Sequence, residues 1–94
     1  METLKLTAEH FDAENNYIGE VDVSDYPGHI EIAPQLGHVK FKSVRASGRL
    51  IAGASSGIEA DWGIEAGEGI EAGRGIEAGW GIKADWGIKA GWGI

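Results

Sequence analysis

The sequence predicts an all-β fold: a small β-solenoid with an N-terminal β cap. Three observations predict it. From Gly57 onward one six-residue unit, G-I-[EK]-A-[GD]-x, runs six times without interruption, and Gly93-Ile94 open a seventh. Within each unit Ile and Ala lie two apart with Glu or Lys between them, so apolar and charged side chains take opposite faces of an extended segment. Each unit then closes on Gly or Asp, a variable residue x and the next Gly, residue types that tolerate the positive φ of a sharp corner. A helix is excluded, because six residues do not fit a 3.6-residue period and repeated Gly would cost about 1 kcal/mol each in a helix interior. A strand of three or four residues cannot bury its apolar face alone, so the units must stack.

The stacking period follows from charge. An 18-residue coil of three units sets Glu65 against Lys83, Glu71 against Lys89, Trp62 against Trp80 and Arg74 against Trp92, with Glu59–Glu77 as its like pair. A 12-residue coil of two units sets Glu71 against Lys83 and Glu77 against Lys89, but opposes Glu59 with Glu71 and Glu65 with Glu77. Like charges on neighbouring strands are unfavourable, and the longer coil has one repulsive pair fewer.

The unit is similar to the hexapeptide repeat of left-handed parallel β-helices, over roughly the last two-fifths of the chain. Ala60-Asp61 through Ala90-Gly91 occupy the aliphatic-Gly slots of that pattern, and Ile64 through Ile94 its small-residue slot, so large and small residues are exchanged. The resemblance implies stacked coils. Acyltransferases of that fold use a catalytic His, and no His lies in these repeats, so their activity is not implied.

Before the repeats, Thr3–Thr7 alternates and predicts a strand, Ala8–Ala13 a helical turn or loop, and Glu14-Asn15-Asn16 a turn. Tyr17–Val23 alternates again, with Tyr17, Gly19, Val21 and Val23 on one side. Asp25-Tyr26-Pro27-Gly28 predicts a β-turn, His29–Ala33 a short strand, and Pro34–Gly37 a bend. His38–Ala46 is the best strand outside the repeats, with an irregularity expected near Ser43. Val44-Arg45-Ala46-Ser47-Gly48 already has the order of the repeat, and residues 51–57 form an imperfect unit. Residues 1–43 are therefore expected to form a β-rich cap and residues 44–94 the solenoid, in one continuous domain.

The chain has 94 residues, a net charge of −7 (−3 over residues 1–50 and −4 over 51–94) and no cysteine. That sign argues against direct binding to nucleic-acid phosphates. No 18-residue apolar run suggests a membrane span. The first residues lack the basic-then-apolar layout of a signal peptide, and a cytoplasmic setting is expected.

No catalytic constellation is evident. Gly67–Gly73 has the spacing G-x-G-x-x-x-G, which the repeat explains without a dinucleotide. Asp61 and Asp85 do not stack in the 18-residue coil, and His10, His29 and His38 are scattered. No metal, cofactor or enzymatic activity is expected. The candidate partner-binding residues are Trp62, Trp80, Trp86 and Trp92, whose slot also accepts Glu68 and Arg74 and so faces water, together with Glu59, Glu65, Glu68, Glu71 and Glu77. Exposed Trp anchors interfaces, and stacked carboxylates on a rigid scaffold can imitate phosphates. The bland alternatives are Trp lying flat over neighbouring corners and a solvated Glu face.

These features predict a non-catalytic, acidic binding or inhibitor protein that occupies a partner protein's surface, for example that of a nucleic-acid-binding protein. The uninterrupted repeats resemble those of short bacterial and prophage reading frames. Within that class a phage anti-defence protein, such as an anti-CRISPR acting in the host cytoplasm, is the concrete expectation. The rival is a self-assembling structural solenoid, and a third class is a carbohydrate binder using Trp platforms. The uncapped last repeat predicts a homodimer through the C-terminal coil, or a partner seated there.

Overall fold

The computed structural model describes residues 2–85 and 87–91. Among these residues eleven strands form three parallel sheets, which are the sides of a triangular prism. The first side stacks β3 (Gly37–Phe41), β6 (Ser56–Ala60) and β9 (Ile76–Ala78). The second stacks β4 (Val44–Ala46), β7 (Gly63–Ala66) and β10 (Gly81–Ala84). The third stacks β1 (Thr3–Leu6), β2 (His29–Ile32), β5 (Leu50–Ala52), β8 (Gly69–Ala72) and β11 (Gly87–Ala90). Each coil takes one strand from every side, so β3-β4-β5, β6-β7-β8 and β9-β10-β11 are the three coils.

The period in the repeats is 18 residues. Ile58 pairs with Ile76, Ile64 with Ile82 and Ile70 with Ile88. Lower in the prism Val44 pairs with Ile64 and Leu50 with Ile70, 20 positions apart. The extra length lies at the corner Gly53-Ala54-Ser55, where Ser55 turns the chain at φ 62°. The next residue, Ser56, is fully buried; its Oγ donates to Ala33 O (2.6 Å) and accepts from Leu36 N–H (3.1 Å).

Ile and Ala of each unit point inward. Val39, Ile58 and Ile76 form one buried column, Val44 and Ile64 a second, and Ile30, Leu50 and Ile70 a third. Ala60, Ala66 and Ala72 line the narrowing space beside the corners. Ile82 and Ala78, expected in the core, are only partly buried, as are Ala84, Ile88 and Ala90. They belong to the last of the described coils, which among the described residues is covered from one side only.

The corner glycines have a different cause from the one expected. Positive φ among described glycines is confined to Gly37 and Gly87. At Gly67 and Gly79 the constraint is the coil below: a Cβ would lie 2.1 Å from Ser47 O and 2.2 Å from Asp61 O respectively.

Two further expectations are corrected. His38–Ala46 is not one strand; Lys42-Ser43 is a corner, which lets both Phe41 and Val44 face the core. Tyr17–Val23 is not a strand either. Tyr17 Oη donates to Val21 O (2.8 Å), and the chain folds over the Tyr17 ring at Gly19, where a Cβ would lie 2.5 Å from the hydroxyl. That ring packs with Phe11 and Phe41, at centroid distances of 5.8 and 5.4 Å, and closes the base of the prism. Ala8–His10 is a single 3-10 turn.

The N-terminal segment also completes the lower sheet edges. β1 lies on β2. Lys40 N–H donates to Asn15 O (2.8 Å) and Tyr17 N–H to Lys40 O (2.9 Å), which closes β3. Arg45 N–H donates to Val23 O (2.8 Å) and Tyr26 N–H to Arg45 O (2.9 Å), which closes β4.

Candidate functional site

The outward residues of the coils fall into columns, one residue per strand and all of them charged except Ile51. On the first side the column is Lys40, Glu59, Glu77. On the second it is Arg45, Glu65, Lys83, with Arg45 Nε 3.3 Å from Glu65 Oε2. On the third it is Lys5, Glu31, Ile51, Glu71, Lys89. Glu68 stands at a corner, 3.6 Å from Arg49 Nε. The candidate carboxylates thus lie on three sides and a corner, and Glu65, Glu68 and Glu71 each have a cation on a neighbouring coil. Only Glu59 and Glu77 are adjacent like charges.

Trp62 and Trp80 share the corner that follows the first side. Their rings stack at 5.8 Å with 17° between planes, and Trp80 N–H donates to Trp62 O. They are 53% and 82% exposed. Trp86 and Trp92 lie outside the described residues.

Trp62 is also one wall of a cleft of about 800 Å³. The loop residues Tyr17, Val21, Asp22 and Ser24 line it as well, together with Lys40, Phe41 and Lys42 and the carboxylates Glu59 and Asp61. This loop is held by short contacts. Asp22 Oδ1 accepts from Ser24 N–H (2.9 Å) and from Ser24 Oγ. The Ser24 hydroxyl, then its backbone N–H, hold the Asp22 carboxyl below its ordinary value. Asp12 is lowered in the same way, first by the Asn16 backbone N–H, and its Oδ1 accepts from Asn16 and Glu14 N–H (2.9 Å each). Burial pushes the Tyr17 phenol up. On the far side of Trp62 a shallower groove of about 580 Å³ runs past Arg45, Glu65, Trp80 and Lys83.

Sequence reasoning missed the loop that lines this cleft. A signal for it was present. Seven carboxylates lie between Glu9 and Glu31 with no Lys or Arg among them, leaving eight carboxylates and eight Lys or Arg elsewhere. The net charge therefore resides on this N-terminal segment, where all seven side chains are exposed. Ile18 (59%) and Val21 (42%) join Trp62 and Trp80 as the exposed large apolar side chains of the described residues.

Two histidines have structural roles: His10 Nδ1 accepts from Thr7 N–H and His29 Nδ1 from Arg49 N–H, each at 2.9 Å. Among the described residues no group of three His, Cys, Asp or Glu side chains is placed to hold a metal ion, and no helix is long and apolar enough to cross a membrane. No protein-family model matches the chain, and no curated protein or solved structure matches it at a significant level.

Proposed function

We propose that this is a non-catalytic binding protein that occupies a partner protein's surface through the cleft between Val21 and Trp62. The observation that carries the reading is that Ile18, Val21, Trp62 and Trp80 are exposed and that two of them wall one cleft. Exposed apolar side chains ringed by charge mark interaction sites, and a Trp held by stacking is a preorganised anchor. The partner carries a basic patch. The seven carboxylates of residues 9–31 have no Lys or Arg among them and supply a steering field of one sign. A protein that binds nucleic acid offers such a patch, so the finer reading is an acidic inhibitor standing where nucleic acid would, of the kind phages use against bacterial defence systems, in the host cytoplasm.

The test is capture of the partner by the immobilised chain. Val21→Ser with Trp62→Ser should lower capture about tenfold, and Asp22→Asn with Asp25→Asn should flatten its salt dependence. Capture unchanged in the Val21/Trp62 variant would remove the cleft from the reading. Binding insensitive to salt would remove the nucleic-acid imitation.

A second reading is self-assembly. The stacked and exposed rings of Trp62 and Trp80 favour it.

A further inference from the structure

We infer that the cleft at Trp62 takes an arginine side chain of the partner protein, its guanidinium shared by the Trp62 indole and the carboxylates of Asp22, Glu59 and Asp61. The inference rests on the cleft reading above and adds the chemistry of the anchor.

The lining of the cleft combines those three carboxylates with the aromatic residues Tyr17, Phe41 and Trp62. Its volume of about 800 Å³ admits a long side chain. Glu65 and Glu68 are paired with Arg45 and Arg49 within the chain. Among the described residues Asp22, Glu59 and Asp61 take part in no ion pair, although Lys40 lies in register with Glu59 on the next strand. Ser24 gives both of its bonds to Asp22 Oδ1. Oδ2 therefore remains an acceptor for a donor from outside, and the same bonds favour the ionised carboxyl.

Three kinds of anchor compete for such a lining. An apolar one would desolvate the carboxylates without compensation. An anion would be repelled by them and by the run of carboxylates from Glu9 to Glu31, to which Asp22 belongs. A cation is left, and the two common ones differ. The lysine ammonium is a compact, strongly hydrated point charge. The guanidinium is flat and more weakly hydrated, and it presents five N–H donors in one plane. Its edge can bond carboxylates while its face lies on an aromatic ring, of which indole attracts cations best. Trp62 suits this use. Its ring is stacked on Trp80 and is still 53% exposed, so little side-chain freedom is lost on binding.

Lys40 and Lys42 line the same cleft, and three carboxylates against two ammonium groups leave a net charge of −1. Both lysines are exposed, and such a side chain can carry its ammonium aside into water. They weaken the field of the site without reversing its sign. Removing one of them should therefore tighten a bound cation and loosen a bound anion.

The test is titration of the isotope-labelled full chain with a capped peptide of four arginines, read by NMR shifts of the backbone amides and the tryptophan indoles. Peptides of four lysines and of four citrullines are the comparison, the last keeping the shape of arginine without its charge. The arginine peptide should shift Val21, Asp22 and the Trp62 indole, and should bind about fivefold or more tighter than the lysine peptide. Trp62→Ser should abolish that preference and Trp62→Phe should keep part of it, with thermal melts as a control of folding. Glu59→Gln with Asp61→Asn should weaken binding about tenfold. Lys42→Gln should tighten it about two- to threefold at low salt. Equal affinity for arginine and lysine, equal affinity for arginine and citrulline, shifts confined to other surfaces, or a Lys42→Gln variant that binds more weakly would each overturn the inference. If the arginine peptide shows no preference while capture of the partner still depends on Val21 and Trp62, the cleft stands as the partner's site and the arginine does not. If the peptide prefers the cleft but capture ignores Val21 and Trp62, the arginine site is supported and the cleft reading of the partner falls.

Discussion

Glu65 Oε2 lies 3.3 Å from Arg45 Nε in the coil below, and Lys83 sits in register above it. This three-charge column spans every coil of the second side. Both members of the ion pair are about half exposed (57% and 44%), so water and salt screen much of their attraction. Arg45→Glu should therefore cost only about 0.5–1 kcal/mol. Urea melts in low salt and in ~1 M salt check it, and the loss should shrink in the latter. An equal loss in both would mean that the arginine stem's packing, not its charge, sets the effect.

The core should weaken from the middle of the prism toward its upper end. Ile64 is 1% exposed, whereas Ile88 is only partly buried. Ile64→Ala should cost about 2–5 kcal/mol, and Ile88→Ala less than half of that in dilute solution. Denaturant midpoints of the two variants give the comparison. Equal losses would show that the last coil is as well covered as the second.

Corner glycines and strand glycines should respond differently to a methyl group. A Cβ at Gly67 would lie 2.1 Å from Ser47 O, whereas nothing lies within 4 Å of a Cβ at Gly81. Gly67→Ala should cost about 1–3 kcal/mol from overpacking. Gly81→Ala should be neutral or stabilising by up to about 1 kcal/mol, because it restricts the unfolded chain. Melting temperatures suffice, and a neutral Gly67→Ala would mean that neighbouring coils can separate at the corner.

The turns at Asp12 and Asp22 should loosen in acid. Both carboxyls are held below their ordinary value of 3.8 by hydrogen bonds that the charged form accepts. Each therefore contributes order that is complete above that value and is lost as the pH falls through the lower, folded-state value. Amide exchange at Asn16 and Ser24, corrected for the intrinsic pH dependence, should show protection falling only below pH ~3.8. Protection lost well above that pH would assign the turns to other contacts.

Much of the fold could be read from local pattern. Spacing of Ile and Ala by two determines which side chains face inward, and opposite charges 18 positions apart determine which strands are neighbours, so Glu65–Lys83, Glu71–Lys89 and Trp62–Trp80 were all legible. These are consequences of repetition, since every unit meets a copy of itself. The tertiary structure decided what repetition does not reach. Tyr17 packs against Phe41 across 24 positions, and that packing folds residues 17–23 into a loop where alternation alone predicts a strand. The same packing brings Val21 and Asp22 into one cleft with Trp62. Corner glycines were legible as glycines but not for their reason, because the carbonyl that excludes a side chain at Gly67 belongs to Ser47, one coil away. Local propensity acts within a strand and its turn, whereas a cleft or a close approach between coils depends on how far the whole chain has already been wound.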